Sequence, residues 1–198
     1  MTTHKPRRTD ARLNRERLVT AAQEVFAEAG PEASLNEIAR RAGVGPGTLY
    51  RNFPHREALL AAVLQERIER LCALAENLLG AESADEALAE WLYAFMEHAR
   101  LNQGMGSALL LTEDAARGAS EPPGIDCHRM IQDAAHALLA RAQQRGTART
   151  DLASDDLVPL VVGIALSTAH GGVRQDEEQP RRLLGLVLDA VHGGSRQG

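Results

Sequence analysis

The sequence predicts an all-α fold of about nine helices, on three observations. Apolar residues recur at helical spacing through nearly all of the 198 residues. No stretch holds the period-two alternation that marks a strand. Glycines, prolines and Ser-x-x-Glu signals fall where helices of ordinary length should start and stop.

The first helix is expected from about Asn14 to Ala29, with Leu18, Ala22, Val25 and Ala29 on one face and Phe26 beside them; Gly30-Pro31 ends it. Ser34 and Glu37 have capping-box spacing, in which each side chain satisfies a free backbone N–H of the other. They open a second helix that buries Leu35, Ile38, Ala39 and Ala42 and stops at Gly43. The third begins at Gly45 with Pro46 in its first turn and runs to Asn52–Phe53, where Pro54 closes it. A longer fourth helix carries Leu60, Val63, Leu64, Ile68, Leu71, Leu74 and Leu78 before Gly80.

A second capping box, Ser83 to Glu86, opens a fifth helix that reaches about Leu101 and buries Leu88, Trp91, Leu92, Phe95 and Ala99. Residues 104–116 read as a shorter helix, 118–124 as a loop with a Pro-Pro pair, and Ile125–Arg145 as a long helix ended by Gly146. The next helix opens near Ser154–Asp156, with acids at its positive end. Leu157 to Ala169 is apolar almost all round, so it must be covered on several sides. After a loop at 171–179, Pro180–Val191 forms the last helix, with Leu184, Val187, Leu188 and Val191 inward; 194–198 is expected to be a disordered tail.

Composition narrows the function classes. Cys72 and Cys127 have no paired spacing, which fits a reducing, cytoplasmic setting and offers no zinc framework. The first ten residues are polar and basic, unlike a secretory signal, and the longest apolar run, Leu157–Leu166, is too short to span a bilayer. The net charge of −5 hides a split: residues 1–56 hold ten Lys/Arg against six Asp/Glu, a formal +4, and the remainder twelve against twenty-one, a formal −9. A basic head on an acidic body is what a nucleic-acid-binding module joined to a non-binding domain should look like; the bland alternative is a chance excess of surface arginine.

The informative stretch is Ser34 to Phe53. Two short helices joined by a glycine-containing turn, apolar only where they face each other, form a helix-turn-helix. Val44, Leu49 and Phe53 lock its second helix inward, leaving Gly45, Pro46, Gly47, Thr48, Tyr50, Arg51 and Asn52 outward. A glycine at 47 lowers helix propensity by roughly 1 kcal/mol relative to Ala, which a short helix accepts if it must approach a groove closely. Tyr50 can reach a phosphate through its hydroxyl, and Arg51 and Asn52 are side-chain types that read guanine and adenine edges.

From about Arg12 to Leu71 the chain resembles the DNA-binding domain of the TetR family of transcriptional regulators. The resemblance rests on Phe26 and Gly30, the I-A-x-x-A-G-V turn from Ile38 to Val44, G-T-L-Y-x-x-F from Gly47 to Phe53, and R-E-x-L-L from Arg56 to Leu60. It implies that Ser34 and Asn36 lie near the DNA backbone and groove edge, and Gly45, Pro46, Gly47 and Thr48 at the groove-facing start of the third helix. It implies Tyr50 at a phosphate, Arg51 and Asn52 near bases or backbone, and Arg56 holding a phosphate. The family often has a basic residue where Pro46 stands and a histidine where Asn52 stands, so the operator sequence stays open. The basic arm (Lys5, Arg7, Arg8 and Arg12) either adds minor-groove or phosphate contacts or is a frayed, solvated end.

The expected domains are a flexible arm at 1–11, the helix-turn-helix domain at 12–71, and a helical ligand-binding and dimerisation domain at 72–193. The expected function is a ligand-responsive repressor that binds a palindromic operator as a homodimer and is released by an unidentified small-molecule effector. Asp155–Ala169 and Pro180–Val191 are expected to make the dimer interface. Trp91, Phe95, His98, Met105, Leu109, Cys127, Met130 and His170 could line the effector cavity, although each is also an ordinary core residue type. An activator, a co-repressor-dependent regulator, and a helical enzyme or lipid carrier with a remnant head are the rivals. No Gly-rich phosphate loop, Ser-His-Asp pattern or paired catalytic carboxylate stands out, and no cofactor, metal or membrane is expected. Adjacency of Cys127 and His128 is not a ligand spacing, and Cys72 with Cys127 read either as inert thiols or as a redox pair.

Overall fold

The computed structural model describes residues 7–101, 127–169 and 178–192. Among them are eight helices: α1 (Arg7–Ala29), α2 (Leu35–Arg41), α3 (Pro46–Asn52), α4 (Arg56–Leu78), α5 (Ala84–Leu101), α6 (Cys127–Gln144), α7 (Ser154–Ala169) and α8 (Gln179–His192). No strand occurs among the described residues, so the chain is all-α as expected. The helix expected at 104–116, the loop at 118–124 and the tail at 194–198 lie outside the described residues, as does most of the 171–179 loop.

Two local expectations change. Helix α1 starts at Arg7 rather than Asn14, so Arg7, Arg8 and Arg12 ride on a helix instead of a flexible arm. Asp10 in the first turn complements the helix dipole, and Arg12 pairs with Glu16 one turn on at 3.6 Å. Lys5 lies outside the described residues. At α2, Ser34 has the extended backbone of an N-cap but makes no side-chain capping bond. The Glu37 carboxylate instead accepts from Arg40 Nε and Nη2 at 2.8 and 2.7 Å and from Arg41 Nε at 2.9 Å. Here both partners are ionised and three N–H groups share the carboxylate, where a capping box would offer it one backbone N–H. At α5 the box is present in its forward half: Ser83 Oγ accepts the Glu86 N–H at 3.4 Å and donates to Asp85 at 2.7 Å.

The chain divides between Glu66 and Arg67 into two compact units, a few residues before the boundary expected at 71/72. In the first, α1 packs on α2 and α3, and Leu18, Ala22, Val25 and Phe26 meet Ile38, Leu49, Phe53, Leu59, Leu60 and Val63 in one core. In the second, α5 packs against α6, α7 and α8. Its core gathers Trp91, Leu92 and Met96 with Leu138, Leu157, Val161, Leu184 and the α4 residues Leu71 and Ala75. The buried Trp91 indole N–H donates to the Leu71 carbonyl at 3.0 Å. Arg141 donates to the carbonyls of Leu78, at 3.3 Å, and of Ala81, satisfying backbone groups where α4 ends.

The turn between α2 and α3 depends on one left-handed residue. Gly43 has φ +67°; its N–H bonds the Arg40 carbonyl at 3.2 Å and the Val44 N–H bonds the Ala39 carbonyl at 3.0 Å, the paired closure of a Schellman turn. A Cβ at Gly43 would meet nothing within 4 Å, so its cost is purely conformational. Gly43→Ala is expected to destabilise the chain by about 1–2 kcal/mol in urea unfolding, and an unchanged midpoint would contradict the backbone argument.

Candidate nucleic-acid interface

The helix-turn-helix is built by burying one face of each short helix. Ile38, Leu49 and Phe53 are 0–1% exposed, and Phe53 closes α3 with its N–H bonded to the Leu49 carbonyl at 2.8 Å. From α1, the Arg15 guanidinium lies 4.5 Å from the centroid of the Phe53 ring, within cation–π range. This burial turns the polar residues outward. Ser34, Asn36, Gly45, Pro46, Gly47, Tyr50 and Arg51 are exposed, and Thr48, Asn52 and Arg56 are half-buried. Tyr50 is 49% exposed.

Four of the expected contact residues are partly engaged within the protein. Thr48 Oγ1 accepts from Arg51 Nη2 at 3.1 Å, which steadies the arginine along the helix. Asn52 Nδ2 donates to the Thr48 carbonyl at 2.8 Å. Arg56 Nη1 donates to the carbonyls of Pro31 and Ala33 at 2.7 and 2.6 Å, tying the start of α4 to the α1–α2 connection. These bonds span 23 and 25 residues of sequence, so local pattern could not reveal them.

Sequence reasoning also missed an ion network on the same module. Arg41 donates bidentately to Glu28 at 2.8 and 2.6 Å, joining α2 to α1, and shares Glu37 with Arg40. Hydrogen bonds from Arg40 and then Arg41 hold the Glu37 carboxyl down at about 2. The bond from Arg41 lowers Glu28 as well, and both arginines are raised in return. The Glu37–Arg41 pair is legible as an i,i+4 spacing, but the Glu28–Arg41 pair is not.

In the second unit, three candidate cavity residues come together. The rings of Trp91 and Phe95 stack with centroids 5.4 Å apart, and Phe95 and His98 stack at 6.5 Å. Trp91 and Phe95 are buried and His98 half-buried. Burial, and then the positive charges of Arg67 and Arg70, push the His98 imidazole down to about 4, so it is neutral at pH 7. Met130 stands elsewhere, lining a groove of about 310 Å³ between α4 and α6 with Cys72, Ala75, Glu76 and Leu79. The half-buried Cys72 thiol donates to the Met130 carbonyl at 3.7 Å. Met105, Leu109 and His170 lie outside the described residues, and Cys127 opens α6 with its side chain likewise outside them. Among the described residues no helix is long and apolar enough to cross a membrane, and no group of three or more His, Cys, Asp or Glu could hold a metal ion.

The family model for bacterial regulatory proteins of the tetR family matches residues 18–63. The model for the C-terminal domain of SbtR-like transcriptional regulators matches residues 83–192, more than half of the chain. The chain belongs to the TetR family. Among solved structures, the TetR transcriptional regulator SCO0520 from Streptomyces coelicolor is 40% identical with a TM-score of 0.74, over 90% of this chain and 98% of that one. A TetR transcription regulatory protein from Mycobacterium vanbaalenii is 31% identical with a TM-score of 0.65, over 94% and 99%. The HTH-type transcriptional regulator UidR of Escherichia coli K12 is 29% identical over 150 residues, covering 73% of this chain and 74% of that regulator. The TetR-family chain is a DNA-binding transcriptional regulator and not an enzyme.

The neutral His98 gives the second unit a pH signature. Its folded pKa lies below the ordinary value of 6.5, so on acidification the unfolded chain takes up the proton first. The stability that this histidine allows is whole above pH 6.5 and is lost as pH falls through about 4. His98→Gln is therefore expected to flatten the pH dependence of unfolding free energy over that window, and profiles parallel to wild type would contradict the burial argument.

Proposed function

We propose that this TetR-family regulator is a ligand-responsive repressor that binds a palindromic operator as a homodimer and is released by a small-molecule effector. The observation that carries the DNA-binding face is the outward side of α3. Gly45 and Gly47 have no positive φ, and a Cβ on either would meet nothing within 4 Å. Nothing inside the chain requires a glycine at 47, in a helix position where it lowers propensity by about 1 kcal/mol. The reason for the missing side chain therefore lies outside the molecule, beside Thr48, Tyr50 and Arg51. A DNA groove meets that description: it brings backbone and bases close, and the formal +4 of residues 1–56 draws phosphate toward it.

The dimer is supported by α7 and α8. These helices pack on each other, and Leu160, Leu166 and Leu186 are 52%, 52% and 66% exposed. Exposed leucines on two helices that pack together suit a two-fold interface in which each copy presents the same elements. The two-fold would set two copies of α3 in successive major grooves, about 34–36 Å apart. Ser34 and Asn36 would approach the backbone at the groove edge, with Pro46 near the bases. Arg56 would act partly through the α1–α2 connection it holds.

The effector would sit in the second unit near Trp91, Phe95 and His98, with Met105, Leu109, Cys127, Met130 and His170 as further candidates. Release requires an effector that prefers one arrangement of the dimer over another. Helix α4 is the element through which it would act, since Leu59, Leu60 and Val63 belong to the first core and Leu71, Ala75 and Leu78 to the second.

Two outcomes test the reading. Arg51→Ala is expected to lose about 1–3 kcal/mol of operator affinity in fluorescence anisotropy while thermal stability holds; sequence-indifferent binding unaffected by the change would argue against α3 as the reader. Leu186→Glu is expected to shift the chain to monomer in sedimentation equilibrium, and a persistent dimer would place the interface elsewhere.

A further inference from the structure

We propose that Arg15 is a DNA-phosphate contact supplied by α1 and held in place over the Phe53 ring. The inference rests on α3 as the groove-facing helix and adds a residue from a different element.

The arginines of this module differ in what holds them. Arg40 and Arg41 are held by carboxylates, Glu37 and Glu28, and Arg12 pairs with Glu16. Each of those arginines already has an acidic partner. Arg15 is positioned by a ring, 4.5 Å from its centroid. A ring orients a cation without neutralising it, so the full charge stays available.

Geometry directs that charge. Phe53 is 1% exposed while Arg15 is exposed, so the guanidinium forms the outer layer over the ring. The guanidinium carries five N–H donors in one plane, and the side chain that bears them is exposed. Phe53 ends α3 directly after Arg51 and Asn52, which brings the Arg15 charge beside the end of the helix that carries Tyr50 and Arg51. The partial negative charge of the α3 C-terminus favours a cation there. Holding the side chain in advance lowers the entropy cost of forming a phosphate bond. An exposed, oriented, uncompensated guanidinium at the edge of a groove-facing helix fits a backbone phosphate, the one anion that a duplex presents regardless of sequence.

The test uses the full chain and a labelled duplex that the wild type recovers from a random-sequence pool. Affinity is followed by anisotropy across a salt series, alongside thermal unfolding, for Arg15→Met and Arg15→Lys. Methionine covers the ring without charge, and lysine keeps the charge without the planar guanidinium. Arg15→Met is expected to reduce the slope of log affinity against log salt by about 0.9 and to weaken the selected and a scrambled duplex by the same factor. Arg15→Lys is expected to keep the slope. A folded Arg15→Met chain with the wild-type slope would overturn the phosphate contact and leave Arg15 as a cover for Phe53, and so would an Arg15→Lys chain that loses the slope. A wild-type chain that recovers no duplex would overturn the DNA-binding reading and this contact with it.

Discussion

Helices of seven residues do not hold together in water. Isolated helices need about 12–15 residues before they are even marginal, and α2 and α3 have seven each. They persist because Ile38, Ala39, Leu49 and Phe53 are buried against α1 and the first half of α4. Each large apolar side chain so buried contributes roughly 1.5–3 kcal/mol. With one face supplying the stability, the other is free of structural duty and can be composed for contact. The polar links set position rather than stability. Arg41 to Glu28 and Arg56 to Pro31 and Ala33 fix the helices where apolar packing alone would let them slide.

The elements of the first unit were legible because punctuation and pattern agree there. Gly30, Gly43, Pro46 and Pro54 bracket the helices within a residue or so of where they end. Burial of Leu49 and Phe53 follows from helical spacing alone. The early start of α1 was not legible, because residues 7–13 carry no apolar periodicity; they are helical through dipole and ion-pair effects that sequence pattern weighs poorly. Ser34 and Glu37 show the opposite error. The spacing is right, but Glu37 had two arginines within reach on its own helix and took them. Which way Asn52 and Arg56 point depends on carbonyls brought near by the fold, and no local signal carries that information.

The second unit divides along the same line. Its helix boundaries and the buried row of Leu88, Trp91, Leu92 and Phe95 follow from spacing. The candidate cavity is legible only in part: Trp91, Phe95 and His98 stack at helical spacing on α5, whereas the groove that Met130 shares with Cys72 joins two helices and is a tertiary fact. The nearly all-apolar α7 was expected to need cover on several sides. Its inner face has it, through Leu157, Val161 and Ala165, while Leu160 and Leu166 remain in water within a single copy.

Gly47 has a consequence for anyone engineering this chain. A solvent-facing helical glycine with open space around its Cα is what a thermostability campaign replaces first, because alanine there raises helix propensity without a clash. Selection for heat resistance alone would accept that change and count it as progress. Melting temperature does not register what a side chain at position 47 does outside the chain, so a library for gene control would have to be selected on DNA binding in the same round.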